Sequence, residues 1–538
     1  MSAERYHVLM SDGNQFGTIG AMILRQSRKH ASKTAIVFRG DEWTYSKLEA
    51  TVRAVGKSAL AFGLRRDDRF VIWAPNSPRW IFSALGVVGI GGVMVPINTR
   101  FKIMEAQDII ERVRPTMLFI SRDFLDRDYL AELRSACHGI TDGIQVIVLD
   151  GDADAGDLDW DTFLAAGIDV TDERYDEAMS AVEPTTVSDI FFTSGTTGRP
   201  KGVMTSHSQN IRVFDVWAEC VGLIESDRYL IVNPLFHTFG YKAGVLSSIL
   251  RGVTMVPLPV FDVDEVMRLI ESDKITVLPG APTVYLTILA YDHRSKFDLS
   301  SLRVAVTGAA TIPVEMIRQM ASELSFQNIV TAYGLSESTG MVSICRPGDP
   351  YELVANTSGC AIPDVEVKIV DDSGRALPVG EPGEILCRGY NVMVGYFEDP
   401  AATREVIDSD GWLHTGDIGV MNVQGYLKIT DRKKDMFIVG GFNAYPAEIE
   451  NLMLSHPMII QVSVIGVPDE RMGEVGCAFV VTRPGGPTVA EIITWCRDNM
   501  ANYKAPRYVE IVGALPLNAA GKVLKPLLRD MFREGHLL

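Results

Sequence analysis

The sequence predicts an α/β protein, with a large N-terminal part of layered α/β sub-domains and a small α+β unit behind it. Three observations carry this reading. Short apolar strands alternate with segments of helical period from residue 18 onward. The chain has 538 residues, more than one core usually serves. After five consecutive charged residues, Asp431 to Asp435, strands and helices begin again and run compactly to the C-terminus. The expected division is 1–430, a hinge at 431–435, and 436–538.

The elements follow in order. A helical pattern runs from Ile19 through Arg28. Ala35–Phe38 and Trp43–Tyr45 read as strands with Gly40-Asp41 at the turn. Ser46 is placed to cap a helix reaching about Phe62. Arg69–Trp73 is a strand, and Ser77-Pro78 opens the next helix. The longest apolar run, Trp80 to Ile97, is broken by Gly86, Gly89, Gly91, Gly92 and Pro96. It reads as a buried helix and a strand rather than a membrane span. A helix near Lys102–Val113 and a strand at Thr116–Ile120 follow. Residues 121–188 are less regular, and acidic 150–161 reads as an exposed connection. Asp189–Phe192 ends a buried strand. Further on, Val253–Pro257, Leu302–Val306, Ile329–Ala332 and Tyr426–Thr430 are strands, with a helix near Val263–Ser272. In the last unit, Met436–Val439, Val462–Val467 and Cys477–Thr482 are strands. Pro446 opens one helix, and Val489–Met500 forms another.

One stretch stands out, TSGTTGRPKG from Thr193 to Gly202. It reads as a loop leaving a strand ahead of a helix. It holds Gly195, Gly198 and Gly202, the hydroxyls of Thr193, Ser194, Thr196 and Thr197, and Lys201. Glycine lets backbone approach closely, hydroxyls and backbone N–H groups donate to phosphate oxygens, and lysine adds positive charge. The combination suits a polyphosphate. It is not a Walker loop, which needs Gly-Lys followed by Ser or Thr. The alternative is a Gly-rich linker.

Composition narrows the partners. With 51 basic and 68 acidic residues the net charge is −17, which speaks against nonspecific nucleic-acid or anionic-membrane binding. Seven dispersed cysteines without a CxxC pair suit a reducing compartment, so the cytoplasm is expected. The N-terminus lacks a signal-peptide pattern, and the C-terminal EGHLL is not an SKL-type tag.

Further residues acquire meaning only together. Asn233–Gly240 places His237 among aromatics, where a core histidine is the ordinary reading. Thr307-Gly308-Ala309-Ala310 is a small-residue turn after a strand, open to a flat ring or to helix–strand packing. Tyr333-Gly334-Leu335-Ser336-Glu337 ends another strand, with an aromatic ring apt for stacking and a hard carboxylate of the type Mg²⁺ prefers. Asp417, in HTGD, can accept from a ribose diol or hold a turn. Gly440-Gly441 precedes a helix. Lys522 follows Gly521 in PLNAAGK, where a solvated lysine is ordinary.

The ordered set of TSGTTGRPKG, YGLSE, HTGD, DRKKD and PLNAAGK resembles the adenylate-forming superfamily, in its acyl-CoA synthetase branch, over nearly the whole chain. Two departures are Ser336 for the usual threonine and Leu517 where arginine is frequent. The stretches NPLFHTFGYKAG, LPGAPTVY, LRVAVTGAATIP, CRPGD and GGFNAYPAE are similar to actinobacterial acyl-CoA ligases of steroid breakdown. Among these, the ligase for the methyl-hexahydroindanone-propanoate remnant is the nearest in pattern.

The resemblance implies an adenylating N-terminal domain and a mobile C-terminal lid that pivots at Lys434. It implies a two-step ligase: a carboxylic acid and ATP give an acyl-adenylate and pyrophosphate, and CoA then gives the thioester and AMP. Lys522 would bridge carboxylate and α-phosphate, and His237 would border the carboxylate pocket with Tyr241 and Lys242 facing it. The nucleotide would meet Thr193, Ser194, Gly195, Thr196, Thr197, Lys201, Gly308, Ala309, Ala310, Tyr333, Gly334, Ser336, Asp417 and Arg432. Glu337 and Thr196 would serve Mg²⁺. Gly440 and Gly441 would make room for the pantetheine arm of CoA. The expected partners are thus a small carboxylic acid (alicyclic propanoate or fatty acid), ATP and CoA, with a homodimer left open. Rival readings are an amino-acid-activating domain using Asp215, a luciferase-type oxygenase, and a non-catalytic nucleotide-binding protein.

Overall fold

Runs of buried β-branched residues set the architecture. The structure is a computed structural model describing residues 17–193, 200–308, 314–432, 435–439, 442–469, 471–500, 502–517 and 523–534. The side chains of residues 431, 432, 438, 442 and 443 also lie outside the description.

An eight-stranded sheet runs in the order Gly395–Tyr396, Lys201–Ser206, Val187–Thr193, Val93–Pro96, Arg69–Trp73, Met117–Ser121, Gln145–Asp150, Leu158–Asp159. From Val187–Thr193 onward the neighbours are parallel. Side chains alternate across it, as the pleat requires. Phe70 and Ile72 enter the largest core, whereas Val71 and Trp73 pack on the opposite face with Ile109 and Leu130.

A second layer joins the parallel strands Arg228–Ile231, Thr254–Pro257 and Thr34–Phe38, closed by antiparallel Asp41–Thr44. Bridges at Val277 connect it to the parallel pair Val304–Gly308 and Asn328–Tyr333. Helices Ile19–Lys29, Tyr45–Ala61 and Pro78–Gly89 contribute to the core between the layers. The antiparallel strands Val365–Val370, Gly383–Gly389, Leu413–Met421 and Leu427–Arg432 form a third sheet.

Beyond Arg432 a separate C-terminal domain has its own sheet. Strands Phe437–Val439, Phe442–Ala444, Ile459–Asp469, Gly473–Thr482 and Tyr508–Ile511 pair there. Phe437, Ile449, Val464, Phe479, Ile492 and Leu528 share its core.

Several sequence expectations need correction. The Gly-rich segment does not lead directly to a helix. Lys201–Ser206 returns antiparallel to Val187–Thr193, with Thr193 opposite Lys201, so a hairpin strand comes before the helix, and residues 194–199 between the two strands lie outside the described residues. Residues 121–188 are more regular than expected. They contain helices Tyr129–Ala136, Trp160–Ala166 and Asp172–Ser180 and the two strands that finish the large sheet. Acidic 150–161 is exposed over much of its length, as expected, and ion pairs hold it: Arg122 with Asp154 at 2.6 Å and Arg134 with Asp157 at 2.6 Å. The helix after the first hairpin is capped by Thr44, whose Oγ1 accepts from the Lys47 N–H, not by Ser46. The turn before it is Arg39-Gly40, both at positive φ, which suits the twist of a two-residue hairpin. The expected loop after Val439 contains the strand Phe442–Ala444, antiparallel to Phe437–Val439.

Candidate active site

The sequence-marked residues gather at strand ends. Thr193 ends Val187–Thr193, Gly308 ends Val304–Gly308 and Tyr333 ends Asn328–Tyr333. In open α/β sheets the carboxyl edge is where ligands bind, because loops diverge there and leave a crevice.

Gly308 lies opposite Ala332, and a Cβ on it would stand 2.5 Å from the Ala332 carbonyl. Its glycine is thus required by strand packing. Tyr333 then turns into Gly334, where a Cβ would meet the Gly340 carbonyl at 2.2 Å. The backbone folds back on itself between those two glycines. Ser336–Ser338 forms a short 3-10 turn within it and presents Glu337.

Two side-chain links tie this turn to the other sheets. The Tyr333 phenol donates to Asp417 Oδ2 at 2.6 Å. Asp417 is buried in Leu413–Met421, where its backbone stands opposite Arg432. Burial, reinforced by the Asp417 charge, raises the Tyr333 pKa well above that of a free phenol, so this hydroxyl stays protonated as donor. The second link runs to the hairpin. Tyr396 donates from its hydroxyl to Glu337 Oε1 at 2.9 Å, and the Lys201 ammonium lies over the Tyr396 ring at 4.9 Å from its centre. The structure therefore brings together Lys201, Glu337, Tyr333 and Asp417 from three sheets.

His237 approaches from another side. It caps a one-turn helix, Thr238–Gly240, with Nδ1 accepting from the Phe239 N–H at 3.2 Å. The residue is exposed to solvent, and desolvation by neighbouring protein lowers its pKa. Asn76 fixes the preceding segment by donating to Asn233 O and accepting from Leu235 N–H, and Asn233 donates to Pro279 O. A Cβ at Gly340 would lie 3.6 Å from Thr238 and 3.2 Å from Phe214, so the His237 segment abuts the Tyr333–Gly340 turn.

Tyr241 and Lys242 do not face a pocket. They begin a π-helical stretch, Tyr241–Leu246, and both are fully buried. Lys242 pairs with Asp189 at 2.9 Å and donates to Thr205 Oγ1 at 2.7 Å, and Asn210 and Ser188 satisfy the other Asp189 oxygen. Burial pulls the Lys242 pKa down while Asp189 opposes that shift. A buried lysine needs this partner, which a sequence separation of more than fifty residues conceals. Asp215 points at Arg251, which donates to its carboxylate and, at 3.0 Å, to its carbonyl. That engagement disfavours a substrate-amine role.

Ser194, Gly195, Thr196, Thr197, Ala309, Ala310, Gly440, Gly441 and Lys522 lie outside the described residues, as does the Arg432 side chain. Among the described residues no group of three or more His, Cys, Asp or Glu could hold a metal. A single carboxylate such as Glu337 still fits Mg²⁺, which keeps several waters and shares its site with phosphates. Two clefts of about 440 and 620 Å³ lie elsewhere, beside Tyr291 and Glu323 and beside Asp349 and Tyr426. The first sits at the far end of helix Val314–Glu323 from the strand ends, and neither includes a residue of the site. No helix among the described residues is long and apolar enough to cross a membrane.

Tyr396 and Asp189 had no sequence signal, each lying in an apolar run that reads as ordinary core, and Lys242 was expected at the pocket rather than paired with Asp189.

Comparison with known proteins gives one answer. Residues 23–397 match the family described as AMP-binding enzyme, and residues 448–522 match the AMP-binding enzyme C-terminal domain. The chain is 46% identical to a methyl-dioxo-octahydro-indenyl-propanoyl:CoA ligase of Rhodococcus jostii, covering 95% of this chain and 98% of that one. It is 45% identical to the ligase of the same description from Mycobacterium tuberculosis, covering 96% and 99%. Among solved structures it resembles an anthranilate CoA ligase, AuaEII, in complex with anthranoyl-AMP, with a TM-score of 0.84 and 27% identity over 96% of this chain and 98% of that one. ATP-bound MatB from Rhodopseudomonas palustris matches with a TM-score of 0.82 and 27% identity over 96% and 99%.

Proposed function

The chain belongs to the AMP-binding enzyme family and is an AMP-forming acid–CoA ligase, and from that premise we propose that it activates a bulky alicyclic propanoate of steroid origin. Support for the acid comes from the two bicyclic-propanoyl:CoA ligases, each similar along nearly its whole length.

The chemistry follows from charge. A carboxylate and ATP repel one another, so the first step needs positive groups where charge builds. A carboxylate oxygen of the acid attacks the α-phosphorus, the bond to the β-phosphate oxygen breaks, and pyrophosphate leaves. Lys201 and the hairpin around it hold the β- and γ-phosphates. Tyr333 stacks on adenine and Asp417 accepts from the ribose, the Tyr333–Asp417 bond fixing ring and carboxylate together. Arg432, opposite Asp417 on the neighbouring strand, serves the same nucleotide. Mg²⁺, when bound through Glu337, neutralises phosphate charge. Lys522 bridges acid and α-phosphate. His237 borders the acyl pocket. In the second step the CoA thiol loses its proton and attacks the acyl carbonyl, and the bond to AMP breaks. Residues 436–538 pivot about 431–435 between the steps, and Gly440 and Gly441 line the thiol path.

The observation that carries this reading is the meeting of Lys201, Glu337, Tyr333 and Asp417, each already linked to a neighbour. The test is pyrophosphate release from ATP and Mg²⁺ with a panel of fatty, aromatic, amino and bicyclic acids, with and without CoA. The expected result is release and a CoA thioester with bicyclic propanoates. Equal rates with straight-chain acids would overturn the assignment of the acid.

A further inference from the structure

Tyr396 touches two groups of opposite charge with two different parts of its side chain. The Lys201 ammonium takes the ring face at 4.9 Å from the centre, and Glu337 takes the hydroxyl at 2.9 Å. We propose that Tyr396 is a positioning residue: it presents one Glu337 oxygen to the metal while holding Lys201 at the phosphate hairpin, so that the two charges serve the nucleotide rather than each other. The proposal rests on the metal role given to Glu337 above.

The surroundings make Tyr396 rigid enough for this. Its strand pairs with the hairpin, Tyr396 opposite Val203 and Gly395 opposite Met204. Its N–H donates to Thr403 Oγ1 at 2.9 Å, and its ring is buried among Val203, Met393 and Ala402. The segment before it is bonded to the Glu337 turn. The Met393 N–H donates to the Glu337 carbonyl at 2.9 Å, Thr339 Oγ1 donates to Asn391 O at 2.7 Å, and Asn391 Nδ2 donates to Met341 O at 2.9 Å. Residues 391–396 are thus a strap, bonded to the hairpin on one side and to the Glu337 turn on the other.

The physical argument is one of orientation. A carboxylate with one oxygen fixed by a donor offers the other in a defined direction, and partners of this kind typically contribute 10–100-fold in metal affinity. An ammonium over an aromatic face is held without being neutralised, a contact of about 0.5–1 kcal/mol where solvent reaches it.

Two substitutions separate the parts. Y396F keeps the ring and removes the hydroxyl, and Y396L removes both. The readout is Mn²⁺ binding to the enzyme with α,β-methylene ATP, followed by electron paramagnetic resonance, beside calorimetry of the same nucleotide in EDTA. Neither requires turnover. For Y396F we expect Mn²⁺ binding weakened by about tenfold or more, with metal-free nucleotide affinity within about twofold of the parent. For Y396L we expect the same loss and, in addition, metal-free nucleotide affinity reduced by about two- to fivefold. Parental Mn²⁺ binding by Y396F, with binding lost in E337Q, overturns the role of Tyr396 and leaves that of Glu337 standing. Parental Mn²⁺ binding by E337Q removes the metal role of Glu337 and the inference with it. In Y396F/E337Q the losses should not add, because both act through one carboxylate; additive losses also overturn the proposal.

Discussion

At the scale of the residue, the site combines charges that stand ready and charges delivered for one step. Lys201 and Glu337 belong to the first kind, each anchored on Tyr396 before any substrate arrives. The proposed role of Lys522 puts it in the second kind, since it follows the expected hinge by 85 or more residues. A lysine that meets charge only in the adenylation transition state contributes to that step alone. We therefore expect Lys522→Ala to slow pyrophosphate release by on the order of 10² or more. Thioester formation from supplied acyl-adenylate should fall far less. Single-turnover assays of the two half-reactions check this, and equal losses would contradict the division of roles. YGLSE and HTGD stand out in the sequence because their residue types suit a nucleotide and a metal, and the structure brings Tyr333 and Asp417 together. Tyr396 does not stand out, because a tyrosine in an apolar run looks the same whether its hydroxyl meets water or a carboxylate.

At the scale of the element, the hairpin Val187–Ser206 is braced from below. Asp189 on its first strand, Thr205 on its second, and Lys242 on the π-helical stretch form one buried polar network. Removing one charge leaves the other buried and unpaired. Lys242→Met should destabilise the protein by about 3–5 kcal/mol in urea titration, and adding Asp189→Leu should recover part of that loss. The same region carries a pH dependence. His207 begins the helix after the hairpin and is fully buried, with Nδ1 accepting from the Ile19 N–H. Desolvation lowers its pKa from 6.5 to about 4, against the weaker opposing pull of Asp189. The unfolded chain thus takes up a proton below about pH 6.5 that the folded chain refuses until about pH 4. Stability should be insensitive to this group above pH 6.5 and fall by up to about 1.4 kcal/mol per unit below it. Urea midpoints at pH 7 and pH 5 test the sign, and the difference should shrink in His207→Gln. Helix bounds such as Val263–Ser272 were legible in the sequence because the period, the Asp262 cap and the flanking turns agree. The hairpin was not, since strand return after a Gly-rich segment depends on a partner strand rather than on local preference.

At the scale of the whole molecule, a C-terminal domain with a core of its own and a charged connection before it suit a reaction in two steps. The C-terminal domain packs its own sheet around Phe437, Val464 and Phe479, so it can move as a body. The expected pivot, Lys434, must change its backbone angles in that movement. Proline fixes φ near −65°. Lys434→Pro should therefore uncouple the steps, leaving pyrophosphate release within a few-fold of the parent and lowering thioester formation by more than about tenfold. Equal effects on both steps would place the pivot elsewhere.

The sequence by itself determined the layered α/β class, the second unit, the order of the motifs and the family they mark. All of these rest on local residue type and spacing, which the chain carries wherever it folds. The tertiary structure alone decided that Lys242 is a buried brace rather than a pocket residue, that Asp215 answers Arg251, and that Tyr396 stands between Lys201 and Glu337. Those assignments depend on which side chains meet from positions 36 to 195 residues apart. A buried charge or hydroxyl is defined by its partner, and the partner is chosen by packing.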